Sequence, residues 1–288
     1  MTNPEKAPTV ILAPNPSALT GPGTNTFMLG REKIAVIDPG PNIASHLQAI
    51  VNAAGKGRIT HIFVTHAHLD HSAGAHVLAE ATGATLLGYG APTAGRSPAM
   101  RRLAAQGHLG GGEGMDQNFR PDITLSDGEV IESDEWRLQA LHTPGHFGGH
   151  LAFADNDQIY CGDVVMGWSS TLISPPDGDL ADYMRSLARL IDLAPRRLLP
   201  AHGAPIETPL PRLAELAAHR RDRTAQVLAA LQSAPADATS LARRIYDVPP
   251  QLLPAASRNV LAHLIALAEL GVVTPKGEIA ADAKFSLS

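Results

Sequence analysis

The sequence predicts an α/β fold, with a main domain of about 200 residues followed by a small helical domain. Three observations carry this expectation. Up to residue 90 the chain alternates short β-branched runs with Ala/Leu-rich stretches of helical period. Between 123 and 162 it changes to closely spaced short strands, and after Pro209-Leu210-Pro211 helix dominates. That break in pattern puts a boundary near 208–211 and gives domains over residues 1–209 and 210–288.

Residues 24–29 and 34–38 are mostly apolar and flank the polar turn Gly30-Arg31-Glu32-Lys33, so they read as a hairpin. Residues 44–54 have helical spacing, and Gly55 supplies a C-cap. Residues 59–65 are rich in β-branched side chains and form a strand ending at His66. A helix over 72–82, beginning at the Asp70-His71 end, and a strand over 85–88 follow. Residues 91–120, rich in Gly and Arg, read as an exposed excursion. Strands are expected at 123–125, 129–131, 136–141, 151–153, 158–161 and 197–200, with an amphipathic helix at 179–193. Beyond the boundary, 212–232 is one helix and 239–272 holds two or three short ones.

Hydrophobic residues make up 44% of the 288 and charged residues 18%, which supports a buried core and excludes global disorder. A net charge of −5 excludes a surface that is basic overall, leaving only a local groove for nucleic acid. Cys161 is the only cysteine, so no intrachain disulfide can form, and it reads as a buried strand residue. The N-terminus has no basic run before an apolar segment, and no stretch reaches membrane-spanning length. The expectation is a cytoplasmic protein with no membrane partner.

His66-Ala67-His68-Leu69-Asp70-His71 places three imidazoles and a carboxylate where a strand ends and a helix begins. Imidazole and carboxylate are good ligands for zinc and iron. Three more candidates sit at or just past expected strand ends: His146 in Thr143-Pro144-Gly145-His146, Asp163 in Cys161-Gly162-Asp163, and His202 in Ala201-His202-Gly203. Of the 13 histidines, His46, His61, His76, His108, His219 and His263 are expected only to pack or hydrogen-bond. His142 and His150 are expected to support the ligands by hydrogen bonding, and Asp38 and Gly40 to shape a turn near the site.

This ordered set resembles the metallo-beta-lactamase superfamily from about residue 20 to 205. The resemblance implies an αββα sandwich of two mixed sheets between outer helices, with the site at one edge. It implies two divalent metal ions, zinc by preference: His66, His68 and His146 for the first, Asp70, His71 and His202 for the second, and Asp163 between them. The implied activity is hydrolysis by a bridging hydroxide, available because metal-bound water can have a pKa of about 7. Asp70 is the candidate to orient that hydroxide and shuttle a proton. Other readings stay open: an iron-dependent sulfur-oxidising or redox protein, a weak beta-lactamase, or a binding protein that uses metal only for structure.

Gly21-Pro22-Gly23-Thr24-Asn25-Thr26, His219-Arg220 and Asn259-Val260-Leu261-Ala262-His263-Leu264 resemble the branch named for beta-lactamase-like protein 2. That resemblance implies a winged-helix-like tail and offers single-stranded RNA as a substrate beside a small thioester, ester or lactone. Phe147 departs from the branch, where many relatives carry Thr. Arg212, Arg220, Arg221, Arg223, Arg243, Arg244 and Arg258 could line an RNA groove or be solvated helix faces. Residues 168–171 and 175–178 could line the mouth.

Overall fold

The computed structural model describes residues 7–112 and 114–288. The first sheet has six strands in sequential order: β1 (Thr9–Leu12), β2 (Asn25–Leu29), β3 (Lys33–Ile37), β4 (Arg58–Phe63), β5 (Thr85–Gly88) and β6 (Ile123–Thr124). Pairing is antiparallel from β1 to β3 and parallel from β3 to β6. The crossovers carry helices α1 (Ala44–Ala54), α2 (Leu69–Ser72) and α3 (Ala75–Thr82). The second sheet runs β11-β10-β9-β8-β7, built from β7 (Val130–Glu132), β8 (Arg137–His142), β9 (Leu151–Asp155), β10 (Gln158–Gly162) and β11 (Arg197–Pro200). Helix α5 (Leu180–Leu193) makes the parallel crossover between β10 and β11.

Side-chain alternation sorts each strand between two cores. Phe27, Ala35, Ile37 and Phe63 face the second sheet's Leu138, Phe153 and Tyr160. Met28, Ile34, Val36 and Ile62 point the other way, onto Leu47 and Ile50 of α1 and Leu78 of α3. Ile159, Cys161 and Leu198 pack outward against Tyr183, Leu187 and Leu190 of α5. Burying each large apolar side chain contributes about 1.5–3 kcal/mol. The result is the αββα sandwich that the family resemblance implied.

The C-terminal part contains α6 (Pro209–Leu231), α7 (Ala238–Ile245), α8 (Leu253–Glu269) and the hairpin β12 (Val273–Pro275) with β13 (Phe285–Leu287). Helix α6 begins at Pro209, inside what reads as a linker, because the first turn needs no proline N–H. Its first half contributes Leu213 and Leu216 to the core under α5, and its second half contributes Val227 and Leu231 to the C-terminal core.

Two expectations are corrected. Residues 91–120 are not simply an exposed excursion, since they contain α4 (Pro98–Gln106), capped by Ser97, whose Met100 and Leu103 are buried in the C-terminal core. Gly and Arg masked a face of only two apolar side chains. The tail's last helical stretch is one long helix, α8, where short helices were expected. Strands β1 and β13 were not anticipated; each is short and finds its partner through tertiary pairing.

Candidate metal centre

The side chains singled out in the sequence meet where the C-terminal strand ends reach one edge of the sandwich. His66 and His68 follow β4, and Asp70 and His71 open α2. His146 lies in the loop from β8 to β9, Asp163 follows β10 and His202 follows β11. The loop that carries His146 is held by close backbone packing. A Cβ on Gly145 would lie 2.3 Å from Tyr183 Cα, so only glycine lets the loop before His146 approach α5.

Donor atoms of His66, His68 and His146, of His66, His71 and Asp163, and of Asp70, His71 and His202 form three groups, each within 4.8 Å. The Nε2 atoms of His66 and His146 face His68 Nδ1 at 2.8 and 3.1 Å. His202 Nε2 lies 3.3 Å from Asp163 Oδ1 and 3.4 Å from Asp70 Oδ2. His71 Nε2 lies 3.6 Å from both carboxylates.

What points these atoms inward is the tethering of the opposite ring nitrogens. His71 Nδ1–H donates to Asp38 Oδ2 at 2.9 Å, His146 Nδ1–H to the Leu172 carbonyl at 2.7 Å, and His202 Nδ1–H to the Gly23 carbonyl at 3.1 Å. Thr65 Oγ1 donates to Asp38 Oδ2 at 2.8 Å, so it accepts from His66 Nδ1–H at 3.0 Å. Four imidazoles therefore turn their Nε2 atoms to the same space. His71 Nε2 and Asp163 Oδ1 are buried without a hydrogen-bond partner, which a cation at this centre would provide. The donor set thus fits one or two divalent metal ions.

Charge divides the cluster before any cation binds. Burial, and then the neighbouring imidazoles, hold His66 well below the usual histidine range and bring His68 down to about 3. At His202 burial opposes protonation, yet Asp163 and Asp70 outweigh it and raise the ring to about 10. Burial would raise Asp70, but His71 and His202 bring it down to about 2. Asp70 and Asp163 thus favour their charged form beside His71 and His202, whose protonation they favour in turn and with which a metal ion would compete.

The sequence match now has a geometry to rest on. A model of the metallo-beta-lactamase superfamily matches residues 19–202, and one of the beta-lactamase-associated winged helix domain matches residues 238–281. The chain belongs to the metallo-beta-lactamase superfamily. Among similar proteins, the beta-lactamase-like protein 2 homolog of Drosophila melanogaster is 28% identical, over 91% of this chain and 87% of that protein. The atrochrysone carboxyl ACP thioesterase of Aspergillus fumigatus is 30% identical, over 77% of this chain and 64% of that protein. A metallo-beta-lactamase family protein from Thermus thermophilus superposes with a TM-score of 0.79 at 25% identity, covering 98% of this chain and 99% of that one.

The motifs shared with the beta-lactamase-like protein 2 branch acquire physical meaning in this superfamily member. In Gly21-Pro22-Gly23-Thr24-Asn25-Thr26, Asn25 Nδ2 donates to the Pro200 and Gly203 carbonyls at 3.1 and 2.8 Å, bracketing His202. Arg220 and Asn259 meet at 3.2 Å, and Arg220 also donates to the Thr171 carbonyl. Asn259 Oδ1 accepts from the Ile173 N–H at 3.0 Å. Thr171 Oγ1 in turn donates to the Asp163 carbonyl, while the Leu172 carbonyl holds His146. The C-terminal helices thereby clamp residues 171–173, which tether two of the candidate ligands.

Two roles were under-read in the sequence. Asp38 does more than shape a turn. Buried and held at φ 51°, it accepts from the Thr65 N–H, Thr65 Oγ1 and His71 Nδ1, so it fixes His71 directly and His66 through Thr65. An Asp ending a strand beside the block was its only signal. His150 takes the supporting place expected of it: its Nε2 accepts from the Asp163 N–H and its Nδ1–H reaches Thr143 Oγ1. Besides Arg220, three more of the arginines are engaged in internal contacts. Arg212 donates to the Met166 and Ser169 carbonyls, Arg223 lies 3.8 Å over the Tyr246 ring, and Arg258 bonds Ser174 Oγ and the Leu109 carbonyl.

Proposed function

We propose that the protein is a binuclear, zinc-dependent hydrolase of a small thioester or ester. The observation that carries this reading is the convergence of five histidines and two aspartates on one space, with their orientations set from behind. The assigned roles are His66, His68 and His146 for one ion, Asp70, His71 and His202 for the second, and Asp163 between them. Bound zinc would supply hydroxide at neutral pH and polarise the scissile carbonyl.

The chain's own groups account for the remaining needs. Trp168, Ser169 and Ser170 stand beside Asp163 and His202 at the mouth, where they can orient the substrate. Asp70, the most exposed of the carboxylates there at 29%, faces that space and is placed to orient a water and carry a proton to the leaving thiol. In the overall reaction water adds to the acyl carbon, the carbon–sulfur bond breaks, and a carboxylate, a thiol and a proton result. A relative named as a thioesterase supports this substrate class. The internal bonding of Arg212, Arg220, Arg223 and Arg258 weighs against RNA, for which phosphate contacts supply most of the affinity.

The test is thiol release from butanoyl-N-acetylcysteamine by the zinc-loaded protein, with labelled single-stranded RNA in parallel and His68→Ala as control. Thiol release that disappears in His68→Ala is expected. RNA cleavage without thiol release would replace the reading with a nuclease, and one iron per chain on metal analysis would move it to redox chemistry. Asp70→Asn with both metals retained and turnover unimpaired would remove Asp70 from its role.

A further inference from the structure

The floor of the cleft is polar, but its other wall is not. A cavity of about 620 Å³ starts at His68 and His146 and extends between the sandwich and the C-terminal helices to Thr239 and Ala281. A second space of about 390 Å³ lies over Asp70, Asp163 and His202. Both are bounded by Leu19, His68, His146, Leu172, Leu252 and Ala255, so they are parts of one cleft. The larger part falls within the 300–1,000 Å³ that small-molecule sites usually occupy, about the size for a whole ligand group rather than a few waters.

Its lining is mainly Leu172, Pro250, Leu252, Leu253, Pro254 and Leu261. Three of the polar side chains that border it, Ser257, Arg258 and Asp177, bond back to the protein. Ser257 Oγ donates to the Leu253 carbonyl, and Arg258 donates to Ser174 Oγ and the Leu109 carbonyl. Asp177 pairs with Arg96 and accepts from the Gly112 N–H. A wall of this kind rewards loss of apolar surface from water and gives a phosphate or sugar little to bond.

We infer that this cavity takes the acyl chain of the substrate: an extended, apolar acyl group of medium to long length, with its carbonyl at the histidine cluster. The inference rests on the thioester reading and names the substrate class for it. The acyl tail lies under the start of α8 and the 3-10 turn at Pro250–Leu252. The C-terminal helices thus form one side of the substrate site.

The experiment compares kcat/KM for butanoyl, octanoyl and dodecanoyl thioesters of N-acetylcysteamine on the zinc-loaded full chain. Calorimetric binding of dodecanoate against butanoate is measured beside it. The dodecanoyl-to-butanoyl ratio should be about tenfold or more, because each buried methylene adds a favourable increment. Ala255→Phe, which fills the cavity, should bring that ratio toward one. Leu252→Glu, which puts a charge in the same wall without comparable bulk, should do the same, with folding checked by melting temperature. Butanoyl turnover with a flat chain-length profile would overturn the inference and leave the hydrolase reading standing. If no thioester is turned over, the thioester reading fails and binding decides the cavity's role: dodecanoate no tighter than butanoate overturns the acyl site.

Discussion

The floor and the roof of the cleft are built on opposite principles. On the floor, each imidazole from His66, His71, His146 and His202 is fixed by a hydrogen bond to its outward nitrogen. The roof, from Pro250 to Leu261, offers apolar surface and almost no polar demand. Preorganised donors suit a reaction, because nothing has to reorient when charge develops. An apolar wall suits selection among substrates by size and hydrophobicity, with discrimination that grows by small steps. The two are joined by the Arg220–Asn259 clamp, so the domain that forms the roof also steadies the floor.

Substitutions can separate these contributions. The largest effect is expected from the floor: chelation, or His71→Ala, should lower turnover on the order of a thousandfold or more, since metal stabilisation is worth several kcal/mol. Readdition of zinc should restore the chelated wild type but not the variant. Asp38→Asn keeps the shape but removes the charge behind His71, and it should weaken zinc affinity about 10–100-fold in competition with a chromophoric chelator. Unchanged affinity would show that Asp38 only shapes its turn.

Arg220→Met tests the link between roof and floor. It removes the donors to Thr171 and Asn259 while keeping an apolar stem, and zinc affinity should fall by up to about tenfold together with the melting temperature. Arg220→Lys should not restore it, because one ammonium cannot span both acceptors. A lower melting temperature with zinc affinity intact would reduce the clamp to domain stability alone.

The smallest effect lies behind the roof. Burial, and then Arg220 and Arg223, hold His263 near about 3, against an ordinary value of 6.5. The unfolded chain takes up this proton below pH 6.5 and the folded protein does not. Stability is therefore complete above that pH and falls as pH drops toward 3, by at most roughly 1.4 kcal/mol per unit from this residue. Melting temperatures should show a drop between about pH 7.5 and 5 that His263→Asn reduces. His46, His61 and His219 are lowered by burial in the same direction and contribute to what remains.

Much of the site was legible in the sequence because its signals are local. Three histidines and an aspartate within six positions at a strand end need no tertiary information to be noticed. Period and β-branching likewise placed most strands and helices of the sandwich. Only the tertiary structure decided what stands behind and above these residues. Asp38 reaches His71 across 33 positions, Arg220 reaches Thr171 across 49, and Asn25 reaches Gly203 across 178. Such pairings depend on how sheets and helices stack, and neither residue type nor spacing encodes that on its own. The same holds for α4, which looked like exposed loop until the C-terminal core covered Met100 and Leu103. Residue chemistry thus determined the candidate metal centre, while packing between the two parts of the chain decided which surfaces wall the cleft above it.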